Sequence, residues 1–291
     1  MHAFTSTPAS IVIPTRGRPD YLAVALTSIA PQAHAAGAEI VVVDDAGPSP
    51  TVQALVERHG ARYEPHPAPL GLNVARNTGV QRSGGELIVF LDDDVEVAPN
   101  WLAALLHAAR VYPDADVFAG AIRARLEGKA PRTCGRERPP ITTLDLGARD
   151  TRDIRFAWGA NMAIRRSALQ RVGPFDTSLE HGGDEQEWQE RLLAQGQSTA
   201  RPIVYVAAAL VDHRRAGDDA RLRSLARTAR ARGRAGRRLD ALRGQAPSMT
   251  RELQTLLGCL GHVVRYRCPA GLTMVAHSLG RVEEGIRERR R

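Results

Sequence analysis

The sequence lacks several features that mark common classes of binding protein. Aromatic residues make up only 4% of its 291 residues, which argues against stacking single-stranded nucleic acid on aromatic side chains. The three cysteines form no C-x-x-C pair, so neither a zinc site nor a disulfide framework is indicated. We expect these cysteines to be free thiols in a reducing compartment.

Targeting and membrane-spanning segments are not evident either. Residues 1–10 are polar and lack the apolar core of a secretory signal. No apolar run approaches the length needed to span a bilayer. We therefore expect a cytoplasmic protein. The net charge of +8 lies mostly beyond Arg214, in a segment rich in Arg, Ala, Leu and Gly. That segment predicts a basic helical extension, for which contact with an anionic membrane at its inner face stays open.

Glycine-rich phosphate cradles are also missing. No G-x-G-x-x-G follows the first predicted strand, and no G-x-x-x-x-G-K-[ST] occurs. Dinucleotide-binding and P-loop sites are therefore unsupported. If the protein binds a diphosphate, a metal ion is the natural way to neutralise its charge.

Short apolar strands alternate with amphipathic helices in the first hundred residues. Residues 10–13, 39–43 and 87–91 read as buried strands. Strands separated by helices imply right-handed crossovers, an α/β class and a mostly parallel central sheet. In such sheets, ligands bind beyond the carboxyl ends of the strands.

Polar residues follow the predicted strands where each one ends. They are Pro14, Thr15 and Arg16 after the first strand, Asp44 and Asp45 after the second, and Asp92, Asp93 and Asp94 after the strand at 87–91. Because parallel strands end at the same edge of a sheet, these residues predict a nucleotide-binding cleft.

The acid triplet predicts a metal site. Side chains of a strand alternate between its faces, so Asp92 and Asp94 would project to one side and Asp93 to the other. Two carboxylates at a strand end suit Mg²⁺ or Mn²⁺ that is also held by phosphates. The alternative is a polar turn that caps the helix beginning near Pro99.

Two further groups have both a structural and a functional interpretation. Asp184 and Glu185 follow a pair of glycines and begin a predicted helix; acids favour a helix N-terminus, but they could also act in catalysis. His213 is a candidate metal ligand, although a single histidine is more often structural.

In order along the chain, several motifs resemble those of family 2 glycosyltransferases of the GT-A fold. The similar stretches are residues 10–15, 41–45, 71–77, 90–94, 159–163, 175–176 and 183–185 together with Arg191. The resemblance covers about residues 9 to 215, and the ordered set is more specific than any one motif.

The resemblance implies an inverting transfer of a sugar from a nucleotide-diphosphate donor, with Mg²⁺ or Mn²⁺ as cofactor. It assigns nucleotide-sugar binding to Pro14, Thr15, Arg16, Asp44, Asp45, Arg76, Asn77, Asp92 and Asp93. Asp94 would be the direct metal ligand, with Asp92 near the ribose or the metal. Trp158, Gly159 and Asn161 would lie beside the acceptor.

The catalytic base is ambiguous. The family usually has Glu-Asp before this helix, with the aspartate as base, whereas this chain has Asp184-Glu185. By its distance from Arg191 along the chain, Glu185 occupies the position at which the family has its base. The type of side chain, an aspartate, favours Asp184 instead. We keep both, leaning to Asp184 because it directly follows the glycine pair.

The remaining expectations concern domains, donor and competing functions. Residues 1–215 would form the catalytic domain, with a donor half at 9–98 and an acceptor half at 99–215, and residues 216–291 the basic extension. UDP is the expected donor nucleotide, dTDP and GDP stay open, and the acceptor is unknown. The alternatives are a sugar-phosphate nucleotidyltransferase and a non-enzymatic basic protein that binds nucleic acid, although we expect no specific nucleic acid partner.

Overall fold

The computed structural model describes residues 7–137, 140–179, 184–195 and 202–289. The chain forms two compact units. The first comprises residues 1–123, 143–180 and 184–213, and the second comprises residues 124–142, 181–183 and 214–291. The domain limits expected from the sequence stay predictions.

The described strands form one mixed sheet, in the order β3-β2-β1-β4-β7-β6-β8-β5. Its strands are β1 (Ala9–Thr15), β2 (Glu39–Asp44), β3 (Arg62–Pro65), β4 (Leu87–Leu91), β5 (Val95–Val97), β6 (Val117–Leu126), β7 (Asn161–Arg165) and β8 (Ile203–Arg215). The strands β3, β2, β1 and β4 are parallel. The pairs β4–β7, β6–β7 and β5–β8 are antiparallel.

Helices of the first unit flank this sheet, which confirms the predicted α/β class. They are α1 (Pro19–Ala36), α2 (Pro50–Arg58), α3 (Leu72–Gln81), α4 (Trp101–Val111), α5 (Arg166–Val172) and α6 (Asp184–Ala194). Pro19 occupies the first turn of α1, where its missing N–H breaks no helical hydrogen bond. Gly37 ends α1 with φ of 66°, a conformation that glycine adopts without strain.

The sheet buries apolar side chains on both faces. One face packs β1, β2 and β4 against α1 and α4, with Trp101 and Leu26 fully buried. The other face packs Phe90, Phe175 and Trp188 together, and the rings of Phe90 and Phe175 meet edge to face at 5.3 Å. A sheet covered on both faces explains why its central strands are continuously apolar.

Several strands have one end at the same edge of the sheet, the edge formed by the carboxyl ends of its parallel strands. Thr15 is the register partner of Asp44, so β1 and β2 end side by side. Strand β7 runs antiparallel to β4 and begins at Asn161, which pairs with Leu91. The chain just before Asn161 therefore enters the sheet at the edge where the acid triplet leaves it.

The second unit is helical, as the sequence predicts. It contains α7 (Leu222–Leu242), α8 (Met249–Tyr266), α9 (Leu272–Glu288) and short 3₁₀ turns at Gly217–Ala220 and Pro269–Gly271. Helices α7 and α9 pack closely at glycines: a Cβ on Gly233 would come within 2.0 Å of the His277 carbonyl oxygen. Among the described residues, no helix combines the length and apolar character required to cross a membrane.

Several arginines of the basic extension pair with acids inside this unit. Arg281 contacts Asp240 and Glu252, each at 2.7 Å. Arg237 contacts Glu288 at 2.9 Å. Part of the arginine density therefore stabilises the packing of α7, α8 and α9.

Candidate active site

The acid triplet, together with a histidine, forms a cluster of possible metal ligands. Asp92, Asp94 and His213 each offer one ligand atom, and these atoms all lie within 4.8 Å of one another. Nε2 of His213 lies 3.3 Å from Oδ1 of Asp94. Asp94 and His213 are buried, and Asp92 is half-buried.

Strand pairing brings His213 to the acids. Strand β8 continues without a break from Ile203 through the segment that contains His213. Its antiparallel partner is β5, in which Val95 is the register partner of His213. Since Val95 directly follows Asp94, the register places the imidazole beside that carboxylate.

Asp93 has different partners from the other two acids. Its carboxylate accepts a hydrogen bond from Oγ1 of Thr15 at 2.7 Å and contacts Arg18. Burial raises the pKa of Asp93 to about 7; Arg18 opposes this shift, and the neighbouring carboxylates of Asp94 and Asp92 add to it. Asp93 thus links the end of β4 to the end of β1.

Arg18 also lies at this site, although it was not predicted from the sequence. Its Nη1 donates to Oδ2 of Asp94 at 2.8 Å, and it also pairs with Asp93. Its place at the site could have been inferred from the sequence, because Arg18 lies in the loop after β1, and β1 is the parallel neighbour of β4, whose end carries the acid triplet. Pro14 lies within β1 and is buried, whereas Arg16 lies in the loop after β1 and is exposed.

The cluster fits a divalent cation by the chemistry of its donors. Two carboxylates and one imidazole nitrogen are ligands that Mn²⁺ accepts, and the carboxylates suit Mg²⁺ as well. Three protein ligands leave further coordination positions for phosphate oxygens or water. The positive charge of Arg18 beside Asp94 also favours an anionic ligand at this place.

Asp44 and Asp45 lie at the end of β2 and are both buried. Asp44 accepts hydrogen bonds from the Tyr63 hydroxyl and the Ala46 amide, each at 3.0 Å. Asp45 contacts the His66 imidazole at 2.8 Å. The amides of Leu70 and Gly71 donate to Asp45 at 2.7 and 3.0 Å.

These hydrogen bonds determine the charge state of Asp45. Burial alone would raise its pKa, but the hydrogen bonds from His66, Leu70 and Gly71 prevail and lower it below the usual range. Asp45 therefore stays ionised and anchors the loop that leads into α3.

Glu185 and Arg76 meet beside Gly159. Oε1 of Glu185 lies 3.5 Å from the Gly159 amide, and Oε2 lies 3.9 Å from Nη1 of Arg76. Arg76 is buried, and its guanidinium lies 5.8 Å from the centre of the Phe175 ring. A Cβ at residue 159 would meet Nη2 of Arg76 at 2.0 Å, so glycine is required for this approach.

Other predicted site residues hold the backbone in place. Nδ2 of Asn161 donates to the carbonyl oxygens of Ala121 and Ala209, and its Oδ1 accepts from Trp101. The Asn161 amide donates to the carbonyl of Trp158, whose partly buried side chain packs on the core. Asn77 exchanges two hydrogen bonds with the backbone of Phe175. The side chain of Asp184, at the start of α6, lies outside the described residues.

The fold is that of known sugar-transferring enzymes. The structure resembles a mannosyltransferase from Pyrobaculum calidifontis, solved in complex with GDP-Man and Mn²⁺, with a TM-score of 0.58 and 17% sequence identity. The match covers 98% of this chain and 75% of that one. This likeness confirms the GT-A fold that the resemblance implied.

Sequence comparison identifies the family. The family model described as "Glycosyl transferase family 2" matches residues 10–173, and the chain belongs to this family. A pre-mycofactocin glycosyltransferase of Mycobacterium tuberculosis is 30% identical over 213 residues, which are 70% of this chain and 43% of that protein. The succinoglycan biosynthesis protein ExoM of Rhizobium meliloti is 35% identical over 153 residues, 50% of this chain and 48% of that protein. The chain thus spans about half the length of the curated relatives it matches.

Proposed function

We propose that this protein is an inverting glycosyltransferase that moves a sugar from a nucleotide-diphosphate donor to an acceptor hydroxyl with the help of a divalent cation. The observation that carries the proposal is the cluster of Asp92, Asp94 and His213. It lies at the end of a parallel strand in a family 2 fold, where ligands of such sheets bind.

The cation would be held by Asp94, His213 and Asp92. When bound, it would stabilise the negative charge that develops on the departing diphosphate. The similar mannosyltransferase of P. calidifontis was solved with Mn²⁺ and GDP-Man, which supports this assignment. The protein's own contribution is to hold two carboxylates and an imidazole close together in a buried position.

The nucleoside would bind along the ends of β1 and β2. Thr15 and Asp44 are register partners there, and Asp45 fixes the following loop through the amides of Leu70 and Gly71. UDP is the nucleotide that the family resemblance favours, and GDP is the one bound by the similar mannosyltransferase. Both remain candidates together with dTDP.

We assign the catalytic base to Glu185 and keep Asp184 as the alternative. Glu185 contacts Gly159. Gly159 lies two residues before Asn161, and Asn161 is the register partner of Leu91. Because Leu91 directly precedes Asp92, this topology puts Glu185 at the same sheet edge as the acid triplet. A carboxylate there can take the proton of the acceptor hydroxyl while the hydroxyl attacks the sugar opposite the leaving group.

The acceptor would approach along the segment before β7, which contains Trp158 and Gly159. Arg76 lies against Gly159, and its Nη1 is 3.9 Å from Oε2 of Glu185. The names of the relatives refer to different molecules, pre-mycofactocin in one and succinoglycan in the other. The proposal therefore specifies an acceptor hydroxyl and no particular acceptor molecule.

A thermal-shift screen of the full chain tests the proposal. UDP, GDP and dTDP are each added with and without Mn²⁺. A ligand at roughly 100 times its Kd stabilises a protein by about 2.7 kcal/mol. We expect one diphosphate to raise the Tm only when Mn²⁺ is present, and the corresponding nucleotide sugar to be consumed with inverted anomeric configuration in the product. Equal shifts without metal would contradict the metal assignment, and retained configuration would contradict the single-base mechanism.

A further inference from the structure

The second unit contains another cluster of metal-ligating side chains. It consists of Cys134, Glu137, His262 and Cys268, whose ligand atoms all lie within 4.8 Å of one another. Sγ of Cys134 lies 3.4 Å from Nε2 of His262 and 3.0 Å from Oε2 of Glu137. Sγ of Cys268 lies 3.5 Å from the same carboxylate oxygen. Cys268 is buried, and the other three are half-buried.

The end of α8 brings His262 and Cys268 together. Arg267 follows the helix in the left-handed conformation, with φ of 45°. This turn reverses the chain, and the Cys268 amide donates back to the Val263 carbonyl at 3.2 Å. Gly271 lies against the imidazole, since a Cβ there would come within 3.0 Å of Cδ2 of His262.

Residues 132–137, which follow β6, supply the other two groups from a tight turn. The amides of Cys134 and Arg136 both donate to Oε2 of Glu137, at 3.1 and 3.2 Å. The Ala270 amide donates to the Arg132 carbonyl at 3.2 Å, which ties this turn to the loop after α8. Backbone contacts on both sides therefore hold the four side chains in place.

We propose that Cys134, Glu137, His262 and Cys268 bind a structural Zn²⁺ ion. Two thiolates, an imidazole nitrogen and a carboxylate oxygen are ligands that zinc accepts, and four of them complete a tetrahedral site. In such a site, neighbouring ligand atoms lie about 3.3 to 3.8 Å apart, because Zn–S and Zn–N bonds are about 2.3 and 2.0 Å. The separations of 3.4 Å between Cys134 and His262 and 3.5 Å between Cys268 and Glu137 fall in this range, and the 3.0 Å between Cys134 and Glu137 is shorter.

The spacing of the ligands also fits a zinc site. Cys134 and Glu137 are separated by two residues, and His262 and Cys268 by five. Two short-range pairs that are distant in sequence are typical of structural zinc sites. With all positions filled by protein, the ion would join residues 132–137 to the loop after α8 and would have no open position for a substrate. This role is independent of sugar transfer.

Binding of the ion would release the thiol protons. Both thiols donate hydrogen bonds to Glu137. Zn²⁺ binds thiolates, so each Zn–S bond forms as an S–H bond breaks and its proton leaves to the solvent. We expect about two protons to be released per zinc ion bound at neutral pH.

Cobalt substitution tests the site in the full chain, purified under reducing conditions and freed of metal. Co²⁺ bound to thiolates gives sulfur-to-metal charge-transfer absorption, which the sulfur-free cluster of Asp92, Asp94 and His213 cannot produce. We expect this absorption to saturate at one Co²⁺ per chain and to disappear when Zn²⁺ is added. Metal analysis of the protein as purified should find zinc at the same stoichiometry.

Variants assign the absorption to the cluster. Cys134→Ser and Cys268→Ser should each abolish it or weaken it strongly, and His262→Gln should shift it. Cys259→Ser is the matched control, because Cys259 is the third cysteine and contacts Ser278 rather than this cluster; its spectrum should equal that of the parent.

Three results would overturn the proposal. The first is that the wild-type protein gives no sulfur-to-cobalt absorption. The second is that this absorption persists unchanged in Cys134→Ser and Cys268→Ser. The third is that protein treated with reductant holds no zinc and contains a Cys134–Cys268 disulfide. The first and third use the unmodified chain, so they decide the question even if the variants fold poorly.

Discussion

Nε2 of His213 lies 3.3 Å from Oδ1 of Asp94, although His213 lies near the end of the long strand β8 and Asp94 ends a turn far earlier in the chain. The antiparallel pairing of β5 and β8 produces this contact, since Val95 and His213 are register partners. The strand pairing therefore fixes the position of the His213 backbone beside the acid triplet. A rigidly placed third ligand is what a metal site between two carboxylates requires.

Replacing His213 with alanine should weaken Mn²⁺ binding by at least tenfold, because the substitution removes a nitrogen ligand; loss even of groups that only orient ligands costs about 10- to 100-fold. The free Mn²⁺ signal in electron paramagnetic resonance gives the affinity. His107→Ala is the control, since His107 is exposed on α4. Equal Mn²⁺ affinity in the two variants would show that His213 is not a ligand.

Replacing Glu185 with glutamine should lower kcat by roughly 100-fold or more, because loss of a general base costs about that much. Donor binding in the presence of Mn²⁺ should stay unchanged, since the side chain acts on the acceptor. The measurements are steady-state turnover of the nucleotide sugar and donor binding by calorimetry.

Two companion variants test the choice of base. Glu187→Gln alters a carboxylate on the same helix that pairs with Arg191 at 2.7 Å, and it should keep most of the activity. Asp184→Asn should retain more activity than Glu185→Gln. The reverse order would make Asp184 the base, as the sequence first suggested.

Replacing Glu252 with glutamine should lower the free energy of unfolding by about 2 kcal/mol at pH 7, since the change removes a buried carboxylate that pairs with the buried Arg237 and the half-buried Arg281. Glu252 accepts hydrogen bonds from Arg281 at 2.7 Å and from Arg237 at 3.4 Å. Burial alone would raise its pKa, but these arginines prevail and lower the pKa of Glu252 below its ordinary value of 4.5. Denaturant unfolding at several pH values measures the effect.

The pH dependence of this stability loss has a definite sign. A carboxylate with a lowered pKa in the folded state stabilises the protein above its unfolded pKa, and this contribution is lost as the pH falls through the folded pKa. The difference between parent and Glu252→Gln should therefore be full at pH 7 and shrink below about pH 4.5. Glu283→Gln is the control, because its partner Arg230 is largely exposed, and ion pairs exposed to solvent contribute little to stability. A loss for Glu252→Gln that is independent of pH would contradict the ionic explanation.

The sequence allowed the sheet edge to be predicted because parallel strands end together. Polar residues after three apolar strands were enough to bring Thr15, Asp44 and Asp92 to one edge. The contacts of Arg18 and His213 were not predicted, because they depend on the length and register of β8 and on a side chain that reaches across two strands. No local pattern encodes such pairings.

The internal partners of other residues were also beyond the sequence. The family resemblance assigned Asn161 to the acceptor side, and in the structure its amide group hydrogen-bonds to Trp101, Ala121 and Ala209 within the protein. The cluster around the cysteines was not predicted either. Their spacing excluded a C-x-x-C pair, but a turn at one end and a helix terminus at the other bring Cys134 and Cys268 together with His262. Only tertiary structure reveals that cluster.

The most direct test of the account is donor binding by Asp94→Asn. This change keeps the size of the side chain and removes the negative charge of Asp94. Asp114→Asn serves as the control, because Asp114 is an exposed acid that pairs with Arg152. Calorimetry of the nucleoside diphosphate chosen by the thermal-shift screen is performed with and without Mn²⁺. We expect the parent and Asp114→Asn to bind it only with Mn²⁺, and Asp94→Asn to lose that Mn²⁺-dependent binding. Unchanged Mn²⁺-dependent binding by Asp94→Asn would contradict a metal site at the end of β4.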